Sequence, residues 1–277
     1  MQSKRAESSF IFTLARSAAK NVDGGYYRDL GREGSRLPHR SLRSAILKAR
    51  RTPLIAEIKF TSPAEGKLRP AGDVSKIARA YERGGVAGIS VLTEPRHFDG
   101  DVRYVPLVKK AVGVPVLMKD IVIDPVQIDA AARLGADAVL FIAAIFTNRL
   151  SRAPLDVMFS RARAKGLEVL FEAHREEEYR LALGSDADIV GINNRNLNTL
   201  EVSLETSKRL LADGKGERER LRKQGRLLPV ISESGIRTRA EIEELSELGA
   251  DGFLIGSAFM KSADLEAEVR SLTGVGR

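Results

Sequence analysis

Five short apolar runs end in side chains that can do chemistry. Glu57 and Lys59 close Leu54-Ile55-Ala56, Lys119 closes Val114–Met118, Glu172 closes Val169-Leu170-Phe171, Asn193 closes Ile189–Ile192, and Glu233 closes Pro229–Ser232. Residues two apart in a strand share a face, so Glu57 and Lys59 point the same way, and they point into a common interior if Ala56 and Ile58 face outward. A single polar residue at the end of an apolar run marks only where a strand reaches water. Repetition over five runs instead brings acids and amines together at one end of a sheet. Two lysines and two glutamates held in one cleft shift each other's proton affinities and divide acid and base roles.

A second group of residues suits an anion. Glu233-Ser234-Gly235 follows one run and Gly256-Ser257 another, with Ser62 in the loop after the first. Glycine lets backbone amides approach an anion, serine adds a hydroxyl donor, and a helix opening at Ser257 would add positive potential. The bland alternative is two ordinary Gly-Ser turns. Asn194 and Arg195 follow Asn193 and are placed to reach a substrate. His174 reads as a surface or packing residue, and Phe141 and Phe171 read as core.

These side chains need a frame, and the 277-residue chain supplies one. Eight apolar runs follow Pro53: Leu54–Lys59, Gly88–Leu92, Val114–Lys119, Ala138–Ile142, Glu168–Glu172, Ile189–Asn193, Pro229–Ser232 and Gly252–Ile255. They recur at intervals of about 20 to 40 residues, the rhythm of βα units, and are apolar enough to be buried on both faces of a parallel sheet. The intervening stretches carry helix signals. Asp124-Pro125-Val126-Gln127 and Thr238-Arg239-Ala240-Glu241 are N-terminal boxes, and Gly135 and Gly249 suit left-handed C-caps. Leu134-Gly135-Ala136-Asp137 before the fourth run is echoed by Leu248-Gly249-Ala250-Asp251 before the eighth. Eight such units predict an α/β fold, a closed (β/α)8 TIM barrel over residues 51–277, with residues 1–50 as an N-terminal helical extension ending in a helix from Ser41 to Ala49. No GxGxxG or GxxxxGK[ST] follows the first run, which argues against a nucleotide-binding Rossmann or P-loop domain.

Composition removes further classes. There is no cysteine, so no disulfide, thiol nucleophile or thiolate metal site is possible, and His39, His97 and His174 have no ligand spacing. No apolar run is long enough for a membrane span and no convincing leader precedes the first helix, so a cytoplasmic protein is expected. The formal charge is +8, but the basic residues are dispersed. The densest run, Lys215 to Arg226, contains Glu217 and Glu219 and reads as a solvated helix or loop, not a nucleic-acid patch. An anionic small molecule is the better partner for this charge.

At these residues the chain resembles the indole-3-glycerol phosphate synthase family. The resemblance is carried in order by Ile55-Ala56-Glu57-Ile58-Lys59 with Ser62-Pro63, Ser90-Val91-Leu92-Thr93-Glu94, Leu117-Met118-Lys119-Asp120, Gly191-Ile192-Asn193-Asn194-Arg195-Asn196-Leu197, Ser232-Glu233-Ser234-Gly235-Ile236 and Leu254-Ile255-Gly256-Ser257. It implies ring closure of 1-(2-carboxyphenylamino)-1-deoxyribulose 5-phosphate with loss of carbon dioxide and water, without metal or organic cofactor; a monomer is expected. It implies Lys119 as general acid, Glu172 as general base of dehydration, and Lys59 at the anthranilate carboxylate. Glu57 and Asn193 would orient the lysines and substrate hydroxyls. Glu233 and Arg195 would line the pocket, and Ser62, Ser234, Gly235, Gly256 and Ser257 would hold the phosphate. The chain departs from the family pattern in three places. Ile121 stands where an aromatic residue is usual, a common tyrosine is missing near Val126, and the loop Phe60-Thr61-Ser62-Pro63-Ala64-Glu65-Gly66 is longer than usual. Two other readings compete: another phosphosugar-binding barrel, such as an isomerase, and a non-catalytic phosphate-binding barrel. The lysines of the first and third runs, and the lack of cysteine, speak against the isomerases. Retention of both Lys119 and Glu172 speaks against a binding protein.

Overall fold

The computed structural model describes residues 9–28, 30 and 37–274. Eight parallel strands close into a barrel in sequence order. They are strand one Leu54–Ile58, two Gly88–Leu92, three Val116–Lys119, four Ala138–Ile142, five Glu168–Ala173, six Ile189–Asn193, seven Val230–Glu233 and eight Gly252–Ile255. Closure comes from strand one pairing with strand eight through Ala56 and Ile255. The expected runs thus become strands, with shifts of one or two residues at their ends.

The alternation of strand side chains divides the apolar interior into two cores. Ala56, Ile58, Val91, Met118, Phe141, Phe171 and Ile192 pack outward under the helices. Ile55, Leu117, Leu140, Leu170, Ile189, Ile231 and Leu254 pack inside the barrel. Phe141 and Phe171 both meet Phe159 edge to face. The inner core leaves Glu57, Lys119, Glu172, Asn193 and Glu233 as the next inward positions, at the carboxyl end of the barrel.

The repeated tetrapeptide has a physical explanation. Asp137 accepts from the backbone N–H of Val116, and Asp251 accepts from that of Val230, each at 2.8 Å. Each aspartate therefore ties the start of one strand to the loop entering the next. Asp188 does the same for Val169 at 2.8 Å, although its loop, Ser185-Asp186-Ala187-Asp188, lacks the glycine that made the other two visible. The helices Pro125–Leu134 and Arg239–Glu247 begin in the expected capping boxes.

The N-terminal extension closes both ends of the barrel. Helix Phe10–Asp23 sends Ile11, Leu14, Ala15 and Ala18 to the inner core. Helix Leu42–Leu47, capped by Ser41, places Leu42 against the start of strand two, where Gly88 leaves room for it. Asp137 also accepts from the Arg40 N–H at 2.7 Å and from the buried Lys109 ammonium at 2.5 and 2.6 Å. Removing one member of a buried ion pair strands the other charge, so Asp137→Ala is expected to cost about 3–5 kcal/mol of stability. A urea midpoint unchanged from wild type would contradict this.

Candidate active site

Lys119 ends strand three and stands at the centre of the charged cluster. Its Nζ lies 3.1 Å from Glu233 Oε2, 3.3 Å from Glu57 Oε2 and 3.8 Å from Glu172 Oε2. Glu57 also holds Lys59, whose Nζ is 2.7 Å from Glu57 Oε1. The side chains come from strands one, three, five and seven, so barrel closure is what brings them together. Asn193, on strand six, donates to Glu172 Oε1 at 3.0 Å. Its side chain therefore holds the carboxylate, where a hold on the lysines was expected.

The electrostatics follow from burial against neighbouring charge. Burial works against the Lys119 ammonium, but Glu233, Glu57 and Glu172 outweigh it and hold its pKa above the usual lysine range. Burial would also raise Glu57, yet Lys59 and Lys119 bring it down to about 2. Glu233 behaves oppositely. Burial, helped by Glu172 and Glu57, pushes it up to about 7 despite Lys119. If all five groups were ionised the cluster would carry one net negative charge. The carboxyl best able to take up a proton is the deepest one, Glu233.

Glu233 is fully buried below the cavity and does not line it. Its Oε1 has no hydrogen-bond partner among the described residues, and a Cβ on Gly191 would meet that atom at 2.0 Å. Glycine at 191 is thus the space in which Glu233 lies. Gly256 has a similar role: a Cβ there would meet Glu57 Oε1 at 2.4 Å. This close approach to Glu57 is a constraint additional to the expected one at an anion.

A cavity of about 400 Å³ rises from the cluster. Ser62, Arg195, Ser234, Gly235, Gly256 and Ser257 line it on one side. Ser234 and Gly235 both have positive φ, 69° and 84°, and Asn194 Nδ2 holds the Ser234 carbonyl at 3.0 Å. Ser257 opens the helix Ser257–Lys261. The opposite side is apolar and includes Phe10, Leu14, Phe98, Ile121, Leu140 and Ile142. Ile121 sits in this wall, and Phe10 and Phe98 supply aromatic surface beside it.

Among the cavity residues that were not foreseen, two make an ion pair. Glu65 and Lys261 meet over the Ser234–Ser257 side, with Lys261 Nζ 2.6 Å from Glu65 Oε2. Lys261 lies four residues after Ser257, on the same face of a helical turn, a spacing that would have brought it to notice. The loop carrying Glu65 is a small hairpin, Thr61–Ser62 against Gly66–Lys67. His174, on the loop after strand five, makes a 2.8 Å hydrogen bond with the Asn193 carbonyl, which supports the loop. The basic helix Lys215–Lys223 pairs Arg220 with Glu217 and Lys223 with Glu219.

Among the described residues no group of histidine, aspartate or glutamate has an arrangement that would hold a metal ion. No helix among them is long and apolar enough to cross a membrane.

Comparison with known proteins agrees with this geometry. A family model described as indole-3-glycerol phosphate synthase matches residues 19–272. The chain is 45% identical to the indole-3-glycerol phosphate synthase of Methanopyrus kandleri over 86% of its own length and 89% of the relative's. It is 39% identical to that of Neisseria meningitidis over 93% of both chains. Among solved structures, thiamine phosphate pyrophosphorylase from Pyrococcus furiosus superposes with a TM-score of 0.55 at 16% identity, covering 84% of this chain and 96% of that one. That likeness concerns the barrel alone.

Proposed function

From the premise that this chain belongs to the indole-3-glycerol phosphate synthase family, and so is a carboxy-lyase of tryptophan biosynthesis, we propose how its residues divide the reaction. The observation that carries the proposal is the Lys119 ammonium on the cavity floor, held by Glu57 and Glu172 beside it and Glu233 beneath it.

The substrate, 1-(2-carboxyphenylamino)-1-deoxyribulose 5-phosphate, carries a carboxylate at one end and a phosphate at the other. The phosphate enters beside Ser62, Ser234, Gly235, Gly256 and Ser257, with Arg195 nearby. The anthranilate carboxylate meets Lys59, and its ring lies on the wall formed by Phe10, Leu14, Phe98 and Ile121. The ring carbon bearing the carboxylate attacks the ketone carbon. Lys119 delivers a proton to the ketone oxygen as the carbon–carbon bond forms. The bond to the carboxylate then breaks and carbon dioxide leaves. The new hydroxyl takes a proton from Lys59 and departs as water, while Glu172 removes a proton from the methylene carbon next to the nitrogen, completing the pyrrole. Glu57 positions Lys59 and Lys119, Asn193 positions Glu172, and Glu233 sets the charge behind Lys119. Each positioned proton transfer is worth about 10² to 10⁴ in rate.

The direct test is incubation with that substrate, without added metal, while indole fluorescence is followed. Emission that rises in step with carbon dioxide release supports the reading. Isomerisation of a phosphosugar without indole emission would replace it with the isomerase alternative. We further read the chain as a cytoplasmic monomer acting on a small anion, not on nucleic acid; sedimentation equilibrium tests the monomer.

The proposal has a pH consequence. Protonated Glu233 leaves Lys119 a stronger acid, because one fewer negative charge retains its proton. As pH rises through about 7, Glu233 ionises and Lys119 gives up its proton less readily. The expected result is a fall in kcat/KM on the alkaline side, with a midpoint near 7. Glutamine at 233 keeps the shape of the neutral acid, so Glu233→Gln should flatten that limb. The same limb persisting in the variant would assign the titration to another group.

A further inference from the structure

The hairpin Thr61–Lys67 puts a carboxylate where the proposed function puts the substrate phosphate. Glu65 Oε1 accepts from Ser257 Oγ at 2.7 Å and lies 3.4 Å from Arg195 Nη2, while its Oε2 lies 2.6 Å from Lys261 Nζ. One hydroxyl and two cations, drawn from the loop after strand six and the short helix after strand eight, thus converge on a single anion. That anion belongs to the chain itself. We propose that Glu65 is a tethered competitor that occupies the phosphate station when substrate is absent and is displaced by it, so that this residue sets the affinity and anion selectivity of the site. The inference rests on the phosphate reading of these loops and goes beyond it in assigning Glu65 a role.

The construction of the hairpin suits displacement. Its base is anchored without Glu65. Arg69 donates to the Met260 carbonyl at 2.9 Å and to the Ser262 carbonyl, and Thr61 bonds Asp99 across to the next loop. The Leu68 N–H reaches the Phe60 carbonyl at 2.8 Å. The tip is free by comparison. Gly66 turns at φ +68° with nothing within 4 Å of where a Cβ would stand, and Ala64 and Gly66 are exposed. The Glu65 side chain can therefore swing out while the hairpin stays docked.

Charge decides which ligands succeed. A phosphate dianion brings about twice the charge of a carboxylate and three strong acceptor oxygens, so Ser257, Lys261 and Arg195 gain on exchanging Glu65 for it. The two anions repel each other and cannot share the station. A monoanionic carboxylate ligand offers those donors no more than Glu65 already does, and is turned away. Apparent phosphate affinity is then the intrinsic affinity reduced by the fraction of molecules with the station open. Glu65 is 22% exposed, so water moderates the competition.

The test is isothermal titration of the full chain with inorganic phosphate and, separately, with acetate. It needs no turnover and uses wild type, Glu65→Gln and Ser257→Ala. Glu65→Gln is expected to bind phosphate about fivefold more tightly, about 1 kcal/mol. Its preference for phosphate over acetate should shrink, because acetate no longer faces an incumbent of its own kind. Ser257→Ala is expected to bind phosphate more weakly. Unchanged or weaker phosphate binding in Glu65→Gln, alongside weaker binding in Ser257→Ala, overturns the role of Glu65 and leaves the phosphate station standing. No change in phosphate binding in either variant removes the station itself.

Discussion

Replacing Lys119 by methionine is expected to lower kcat by about 10³-fold or more, near the upper part of the range for one positioned acid. The loss should fall on ring closure, so neither carbon dioxide nor indole emission should appear at an appreciable rate. The expectation rests on placement. Among the described residues, Lys119 is the one ammonium within 4 Å of Glu57, Glu172 and Glu233 together. Methionine preserves most of the stem but takes the cation away from Glu172 and Glu233, while Glu57 keeps Lys59. Near neutral pH the single variant should therefore lose stability as well as activity. A second substitution separates the two effects. Adding Glu233→Gln removes the most deeply buried acid, so the double variant should recover thermal stability yet remain inactive. Turnover near wild type in either protein would end the assignment of Lys119 as the acid. Recovery of activity with stability would make it a structural cation only.

The fold was readable in the sequence because each barrel strand is buried on both faces. Runs such as Ala138–Ile142 and Ile189–Asn193 are apolar without alternation, and few other structures ask for that. The cluster was readable for the complementary reason: a charged residue at the end of such a run is out of keeping with its neighbours, and Glu57, Lys119, Glu172 and Glu233 all stood out. Depth was not readable. Glu172 and Glu233 each end a strand in the sequence, yet one lines the cavity and the other lies beneath it. The gap at Gly191, on the neighbouring strand, makes that difference, and it is not a local property. The apolar wall was equally hidden. Helix Phe10–Asp23 has one apolar face, but that face does not say which end of a barrel it covers, so the contribution of Phe10 and Leu14 emerges only from long-range packing. Glu65 was overlooked because its exposed hairpin looks like solvated loop chemistry. Its partners Ser257 and Lys261 lie almost two hundred residues away.

Glu172→Gln is expected to produce a different defect from that at Lys119, and the difference is the sharper test of mechanism. Glutamine fills the same space and can still present an oxygen to Asn193 Nδ2, which now lies 3.0 Å from Glu172 Oε1. It cannot accept a proton. Substrate binding and ring closure should proceed, because Lys119, Lys59 and the anion-binding side of the cavity are untouched. Dehydration should slow by about 10² to 10³, within the range for a positioned base. In a single turnover, carbon dioxide should then appear ahead of indole fluorescence, with up to one equivalent per active site released before emission rises. KM should fall or stay constant, since the bound intermediate accumulates once the later step limits turnover. Asn193→Ala should show the same ordering in milder form, because it frees the carboxylate to rotate without removing it. If carbon dioxide and indole slowed together in Glu172→Gln, the carboxylate would be acting before or during decarboxylation. The base of dehydration would then have to be sought elsewhere on the cavity floor.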